Sequence, residues 1–167
     1  CRDLEIHGEM FDLMGLPRTP YSKINIHVGA AYGDRESASW VFNDNFRYLP
    51  DSVRTRLTVE NDDKPSLYST KDLYNLIYQD IGIPIVFDFH HHKFRHDQSE
   101  EEALRMAAST WSDITPVVHY SESRSEEYND PSIKPQAHSD YVYDIPNTYG
   151  LNVDVMIEAK AKELALF

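Results

Sequence analysis

Short apolar runs alternate along the chain with longer stretches whose apolar residues recur every three or four positions. Lys23 to His27, Leu57 to Glu60, Pro84 to Asp88, Val117 to Tyr120 and Val153 to Glu158 are brief, β-prone runs that end in polar residues, the pattern of buried strands. Between them, a stretch from Asp34 or Ser37 to Tyr48 carries Ala38, Val41, Phe42, Asn45 and Phe46 at helical spacing. Thr70 to Ile81 opens with a Thr-Lys-Asp cap and groups Leu73, Leu76, Ile77 and Tyr78 on one side. Gln98 to Trp111 repeats the pattern behind an acidic first turn, Glu100 to Glu102, which suits the positive end of a helix dipole. Leu4 to Met14 reads as a further helix ahead of Gly15-Leu-Pro17. The predicted order is therefore helix first, then strand and helix in alternation.

The strand ends fall at His27, Glu60, Asp88, His119 and Glu158, 28 to 39 residues apart, close to the length of one β/α unit. Such a rhythm predicts parallel strands. Eight units make a barrel of about 250 residues, and this chain holds about five. The expected fold class is thus α/β: a partial TIM (β/α)8 barrel, one domain over residues 1–167, with the full barrel's N-terminal strands absent. Ser121 to Asn152 breaks the rhythm, being rich in Ser, Glu, Asp, Pro and Tyr with no helical period, and reads as a long loop that is functional or mobile.

Composition adds limits. With 41% apolar and 26% charged residues, the 167-residue chain suits one ordinary domain with a real core. The single cysteine, Cys1, permits no intrachain disulfide, and a reducing compartment is the simpler expectation. No run approaches the roughly 20 apolar residues of a membrane span, and the N-terminus lacks the pattern of a signal peptide. A soluble, intracellular, non-secreted protein is expected. The net charge of −12 weighs against a nucleic-acid partner, but carboxylates that hold cations enter that total without their ions.

Each strand end carries a residue able to bind metal: His27, Glu60, Asp88 with His91, His119 and Glu158; His138 in the long loop adds another. Any one of these alone is an ordinary loop histidine or helix-initiating acid. Five at one topological level, where β/α sheets place their chemistry, point to a shared metal site. Imidazoles and carboxylates without thiolates suit Mn²⁺, Zn²⁺ or Fe²⁺. So many ligands exceed one tetrahedral zinc, which favours two or three ions sharing a bridge, with Glu60 the choice. Paired ions about 3.5–4 Å apart recur in phosphoryl hydrolysis, so phosphodiester cleavage leads. A metal-dependent sugar isomerase, an apurinic-site endonuclease and an inactive metal- or DNA-binding fragment stand as alternatives.

Other residues read differently. His90 and His92 flank His91, and in an extended segment neighbouring side chains point oppositely, so both should turn away from a site that His91 enters. Tyr32-Gly33-Asp34 is either a turn approaching DNA or an ordinary turn. Arg35, Lys64, Arg124 and Lys134 read as solvated loop cations, and His7 and His96 as surface or helix residues.

Taken together, six blocks are similar in order and spacing to the C-terminal two-thirds of the ultraviolet-damage endonuclease family. They are His27-Val-Gly29 with Tyr32-Gly-Asp34, Leu57-Thr-Val-Glu60-Asn-Asp-Asp63, Gly82-Ile-Pro with Asp88-Phe-His-His91, His119-Tyr-Ser121, Ala137-His138-Ser-Asp-Tyr141, and Asp154-Val-Met-Ile-Glu158-Ala-Lys160. The resemblance implies a TIM barrel that uses divalent ions, commonly manganese, to cut DNA immediately 5′ to pyrimidine dimers and related lesions. It implies ligand roles for His27, Glu60, Asp88, His91, His119, His138 and Glu158, with Glu60, His91 and Glu158 as the catalytic core. Two or three ions are expected, Mn²⁺ foremost with Zn²⁺ or Mg²⁺ as alternatives. The implied partner is damaged double-stranded DNA, with no membrane, and the full-length protein is expected to be monomeric. Two features depart from the family. Its N-terminal metal-binding histidine and lesion-probing Gln-Tyr pair have no counterpart here, and Val117 stands where family members carry a lysine two residues before the histidine.

Overall fold

The computed structural model describes residues 2–29 and 31–166. Cys1 lies outside them. Helix α1 (Arg2–Leu13) precedes β1 (Ile24–Ile26), and α2 (Arg35–Phe46) follows, its first turn capped by Asp34, whose carboxylate accepts from the Ser37 N–H. A short α3 (Asp51–Arg54) leads into β2 (Leu57–Glu60). Next come α4 (Thr70–Leu73), a π-helical turn (Tyr74–Tyr78) and α5 (Gln79–Ile81), ended by Gly82 in the left-handed conformation at φ 70°. Strand β3 (Ile85–Asp88) runs into α6 (Phe89–Phe94), and α7 (Glu100–Ala108) leads to β4 (Val117–Tyr120). The long connection holds α8 (Arg124–Glu127) before β5 (Asp154–Ile157).

The strands form one five-stranded sheet in the order β1-β2-β3-β4-β5, every neighbouring pair parallel. This is the partial barrel that the spacing predicts. Alternation along each strand then sorts the side chains. Ile24, Leu57, Val59, Ile85, Phe87, Val118 and Tyr120 join the main core, where Leu73, Ile77, Ala103, Leu104 and Ala107 of the helices meet them. The opposite face turns Thr58, Glu60, Val86, Asp88, Val117 and His119 inward. At its lower end Val86 and Val117 pack with Trp111 and Ile114, and the indole Nε1–H donates to the Ile85 carbonyl at 2.8 Å. That face is thus apolar around Val86 and Val117, with Asp88 and His119 two residues further along β3 and β4. Strand β5 stays half exposed, with Val155, Met156 and Ile157 at 40–47%. Among the described residues no helix is long and apolar enough to cross a membrane.

Three local outcomes differ from the expected pattern. The helix predicted over Thr70 to Ile81 begins at an N-cap one residue earlier, Ser69, in a capping box with Asp72. Its π-helical middle is met by Asn43, whose Nδ2 donates to the Leu76 carbonyl at 2.8 Å. The His triplet lies in α6 rather than in an extended segment, because the Asp88 carboxylate accepts from the His91 N–H at 2.8 Å and starts a helix at the strand's end.

Arg56, directly before β2, has no exposed surface. Its guanidinium donates to the carbonyls of Leu16, Pro17 and Ser52 and to the Asp12 carboxylate, at 2.5 to 3.0 Å. The N-terminal end of the sheet is thereby stapled to α1, the turn behind it and α3. Gly8 lets the helices approach, since a Cβ there would come within 2.8 Å of the Ser52 hydroxyl. Arg56→Met keeps the aliphatic stem but leaves buried carbonyls unpaired, and is expected to cost roughly 3 kcal/mol or more in urea unfolding. An unchanged midpoint and slope would refute the staple.

Candidate metal centre

The site is built around Glu60, the last residue of β2, buried with only 5% of its surface exposed. Asn25 of β1 donates from Nδ2 to Glu60 Oε2 at 2.5 Å, and Thr58 Oγ1 donates to Asn25 Oδ1 at 2.9 Å. Two polar side chains beneath the carboxylate thus set its direction. Three imidazoles surround it: His27 Nε2 at 3.7 Å and His91 Nδ1 at 3.2 Å from Oε1, and His119 Nδ1 at 3.2 Å from Oε2. The other nitrogen of His27, Nδ1, lies 3.6 Å from Asp62, giving a carboxylate–histidine pair that directs Nε2 toward Glu60.

Asp88 and His119 are register partners on β3 and β4, which puts the two side chains at one level. Glu158, one residue beyond β5, reaches His119 Nδ1 with Oε1 at 3.1 Å. His138 comes in from the long loop, tied to the start of that loop by an isolated antiparallel bridge to Ser123 and donating from Nδ1 to the Glu158 carbonyl at 3.2 Å. Glu158 Oε2 lies 3.6 Å from the same His138 nitrogen.

Charge in this cluster is strongly coupled. Burial opposes ionisation of Glu60, but His119, His91 and His27 outweigh it and hold the carboxyl well below the usual range. Burial likewise disfavours charged imidazoles, yet Glu60 and Asp88 raise His91 to about 9, and Glu158 and Glu60 raise His119 to about 10. Burial pushes Asp88 up to about 6, against the pull of His91 and with the charge of Glu60 adding to the rise. His119 lowers Glu158, whereas burial raises Asp62. The carboxylates demand positive charge, and protons on His91 and His119 supply it.

Among the described residues, two groups of three have donor atoms close enough to share one ion: His27, Glu60 and His91, and Glu60, Asp88 and His119. Asp88 Oδ2 is buried without a hydrogen-bond donor, an acceptor that an ion would satisfy. His119 Nδ1 is buried between Glu60 Oε2 and Glu158 Oε1, where an ion could take the place of its proton. The nitrogen–oxygen donor set, without sulfur, suits a borderline or hard divalent cation. Of the seven residues singled out from the sequence, five fall in these groups; Glu158 adjoins them through His119, and His138 through Glu158. Asn25 and Asp62 were missed; their signal was position, Asn25 two residues before His27 on the inward face of β1 and Asp62 two after Glu60.

The flanking histidines need a corrected reason. His90 and His92 belong to neither group, but both are buried in α6 instead of turning away along an extended chain. The His90 ring stands edge-on to His138 at 5.3 Å, and His92 packs on Phe87 at 5.1 Å. Burial lowers both to about 4, so they are neutral. Arg35 and Arg124 are not simply solvated. Arg35 donates to the Leu67 carbonyl at 3.2 Å and lies 3.7 Å from Asp72, and Arg124 lies 3.4 Å from Asp140. Lys64, Lys134, His7 and His96 are exposed as expected. Tyr32 is 93% exposed at a φ of 47°, and Val117 is buried with Val86 and Trp111. A separate apolar cavity of about 430 Å³ beside Val28, Phe42 and Leu57 shares no lining residue with the centre.

The family model described as UV-endonuclease UvdE matches residues 1–167. The chain is 39% identical to the UV DNA damage endonuclease of Bacillus cereus (strain B4264), over 99% of this chain and 52% of that protein. It is 38% identical to the UV DNA damage endonuclease of Bacillus velezensis, again over 99% and 52%. The crystal structure of SacUVDE superposes with a TM-score of 0.79 at 33% identity, covering 97% of this chain and 53% of that one. The chain spans about half the length of the curated relatives it matches. Fold, site geometry and similarity agree, and the chain belongs to the UV-endonuclease UvdE family.

Proposed function

We propose that this chain forms the metal-binding part of a DNA-repair endonuclease that incises the backbone of double-stranded DNA 5′ to ultraviolet photoproducts. The observation that carries the reading is the shared Glu60 carboxylate, flanked by His27 and His91 on one oxygen and by His119 on the other. Family membership supports the endonuclease class. An intracellular location follows from the substrate.

His27, Glu60, Asp88, His91, His119, His138 and Glu158 would hold two or three divalent ions, Mn²⁺ first, with Glu60 as the bridge. When bound, such ions activate water and neutralise charge on the phosphate oxygens. The chain's own residues prepare for that chemistry. Asn25 and Thr58 aim Glu60. Asp62 faces one nitrogen of His27 and frees the other to bind. Asp88 spends one oxygen on the α6 N-terminus and keeps Oδ2 available, while burial around Glu60 and Asp88 excludes bulk water. With seven ligands drawn from five strand ends and one loop, the acidic net charge no longer argues against DNA, because bound cations reverse the local field.

Glu60→Gln keeps size and burial but removes the bridging charge. With the other half of the barrel present, incision of irradiated duplex DNA is expected to fall at least about a hundredfold while circular dichroism shows the fold retained. Full incision by this variant would sink the assignment. Ion uptake should also depend on pH with a definite sign. His91 and His119 keep their protons to about 9 and 10, and an entering ion needs neutral rings, so binding releases protons and strengthens as pH rises. Calorimetric titration with Mn²⁺ is expected to give at least about tenfold tighter binding at pH 8 than at pH 6; equal affinities would contradict it.

A further inference from the structure

Asn61, the residue after β2, has no exposed surface and belongs to neither ion-holding group. Its side chain nevertheless makes two hydrogen bonds to one residue. Nδ2 donates to the Asp88 carbonyl at 3.0 Å, and Oδ1 accepts from the Asp88 N–H at 2.8 Å. Its own carbonyl accepts from His91 Nδ1 at 3.0 Å. One residue therefore touches the backbone of one candidate ligand and the ring of another.

The sheet explains why an amide stands there. The ladder between β2 and β3 stops where Glu60 faces Val86. Two residues later, Asp88 is paired with His119 on β4, and its side toward β2 has no strand partner. A carboxamide carries a donor and an acceptor on one planar group, as a peptide does, so the Asn61 side chain supplies the missing rung. An apolar residue would fill the space but strand a buried N–H and C=O. Aspartate could accept from the N–H but not donate to the carbonyl.

We infer that Asn61 is a positioning residue of the ion site, holding Asp88 and His91 at fixed separation where the ladder has ended. With its backbone clamped, Asp88 keeps Oδ1 on the α6 N-terminus and Oδ2 free of any hydrogen bond. His91 Nδ1 lies 3.0 Å from the Asn61 carbonyl and 3.2 Å from Glu60 Oε1, so the contact with Asn61 fixes that edge of the ring beside Glu60. This inference rests on the divalent-ion reading of the site.

Mn²⁺ binding, followed by the paramagnetic resonance of the free ion, separates positioning from a general contribution to stability. The control is Asn43→Ala, since Asn43 is also buried and bonds a backbone carbonyl, but in α2 under the π-helical turn. Asn61→Ala is expected to weaken Mn²⁺ binding about 10–100-fold, while Asn43→Ala loses melting temperature and binds Mn²⁺ as the unaltered protein does. Should circular dichroism show Asn61→Ala unfolded, Asn61→Ser, which keeps one polar atom, is judged by the same criterion. Unchanged affinity in the Asn61 variant, or an equal loss in Asn43→Ala, overturns the inference. If the unaltered protein fails to bind Mn²⁺, the ion reading itself falls and the inference with it.

Discussion

One buried carboxylate shared among three imidazoles sets the terms for the rest of this half-barrel. A charge with 5% exposure persists only if opposite charge and hydrogen bonds surround it, and Glu60 has His27, His91, His119 and Asn25. They come from β1 and the residue after it, from the helix that follows β3, and from β4, so the carboxylate cannot be satisfied until β1, β2, β3 and β4 stand side by side in the observed register. The same requirement explains the polar residues on the inward face of β1 and β2, where Asn25 and Thr58 lie beneath Glu60. Folding thus assembles a site whose members repel when incomplete and neutralise one another only when all are present.

Stability and chemistry are placed at opposite ends of the sheet. Arg56 gathers α1, α3 and the intervening turn at the N-terminal end with hydrogen bonds that leave none of its surface exposed. At the C-terminal end the chain leaves Asp88 Oδ2 without a hydrogen-bond donor and sets His119 Nδ1 between two carboxylates, an arrangement a purely structural cluster would avoid. Strand ends are where β/α folds locate function. Asp62 and Asn61 then orient the histidines, which makes the acidic turn after β2 part of the centre rather than a solvated loop.

Much of this was legible in the chain. Parallel strands were readable because residues buried on both faces form continuous apolar runs, and the repeat of about 30 residues leaves room for one crossover helix. The ligand set was readable because β/α topology converts a position in sequence, the end of a run, into a position in space. Short elements were not readable: α3 and α8 are four residues long, too few to show a period. Helix α6 was missed because its start depends on one Asp88 side chain capping a turn, and that changed the reason His90 and His92 stand aside. Asn25, Asn61 and Asp62 were invisible as functional residues, since an amide or acid in a strand or turn acquires its role only from what the register puts beside it.

The central claim is that Glu60 bridges two ions. Crystals grown with Mn²⁺ and measured at the manganese absorption edge test it without recourse to activity. The account predicts anomalous peaks on both sides of the Glu60 carboxylate, one facing His27 and His91 and one facing Asp88 and His119. Peaks only elsewhere on the molecule, or none at saturating Mn²⁺, would contradict it.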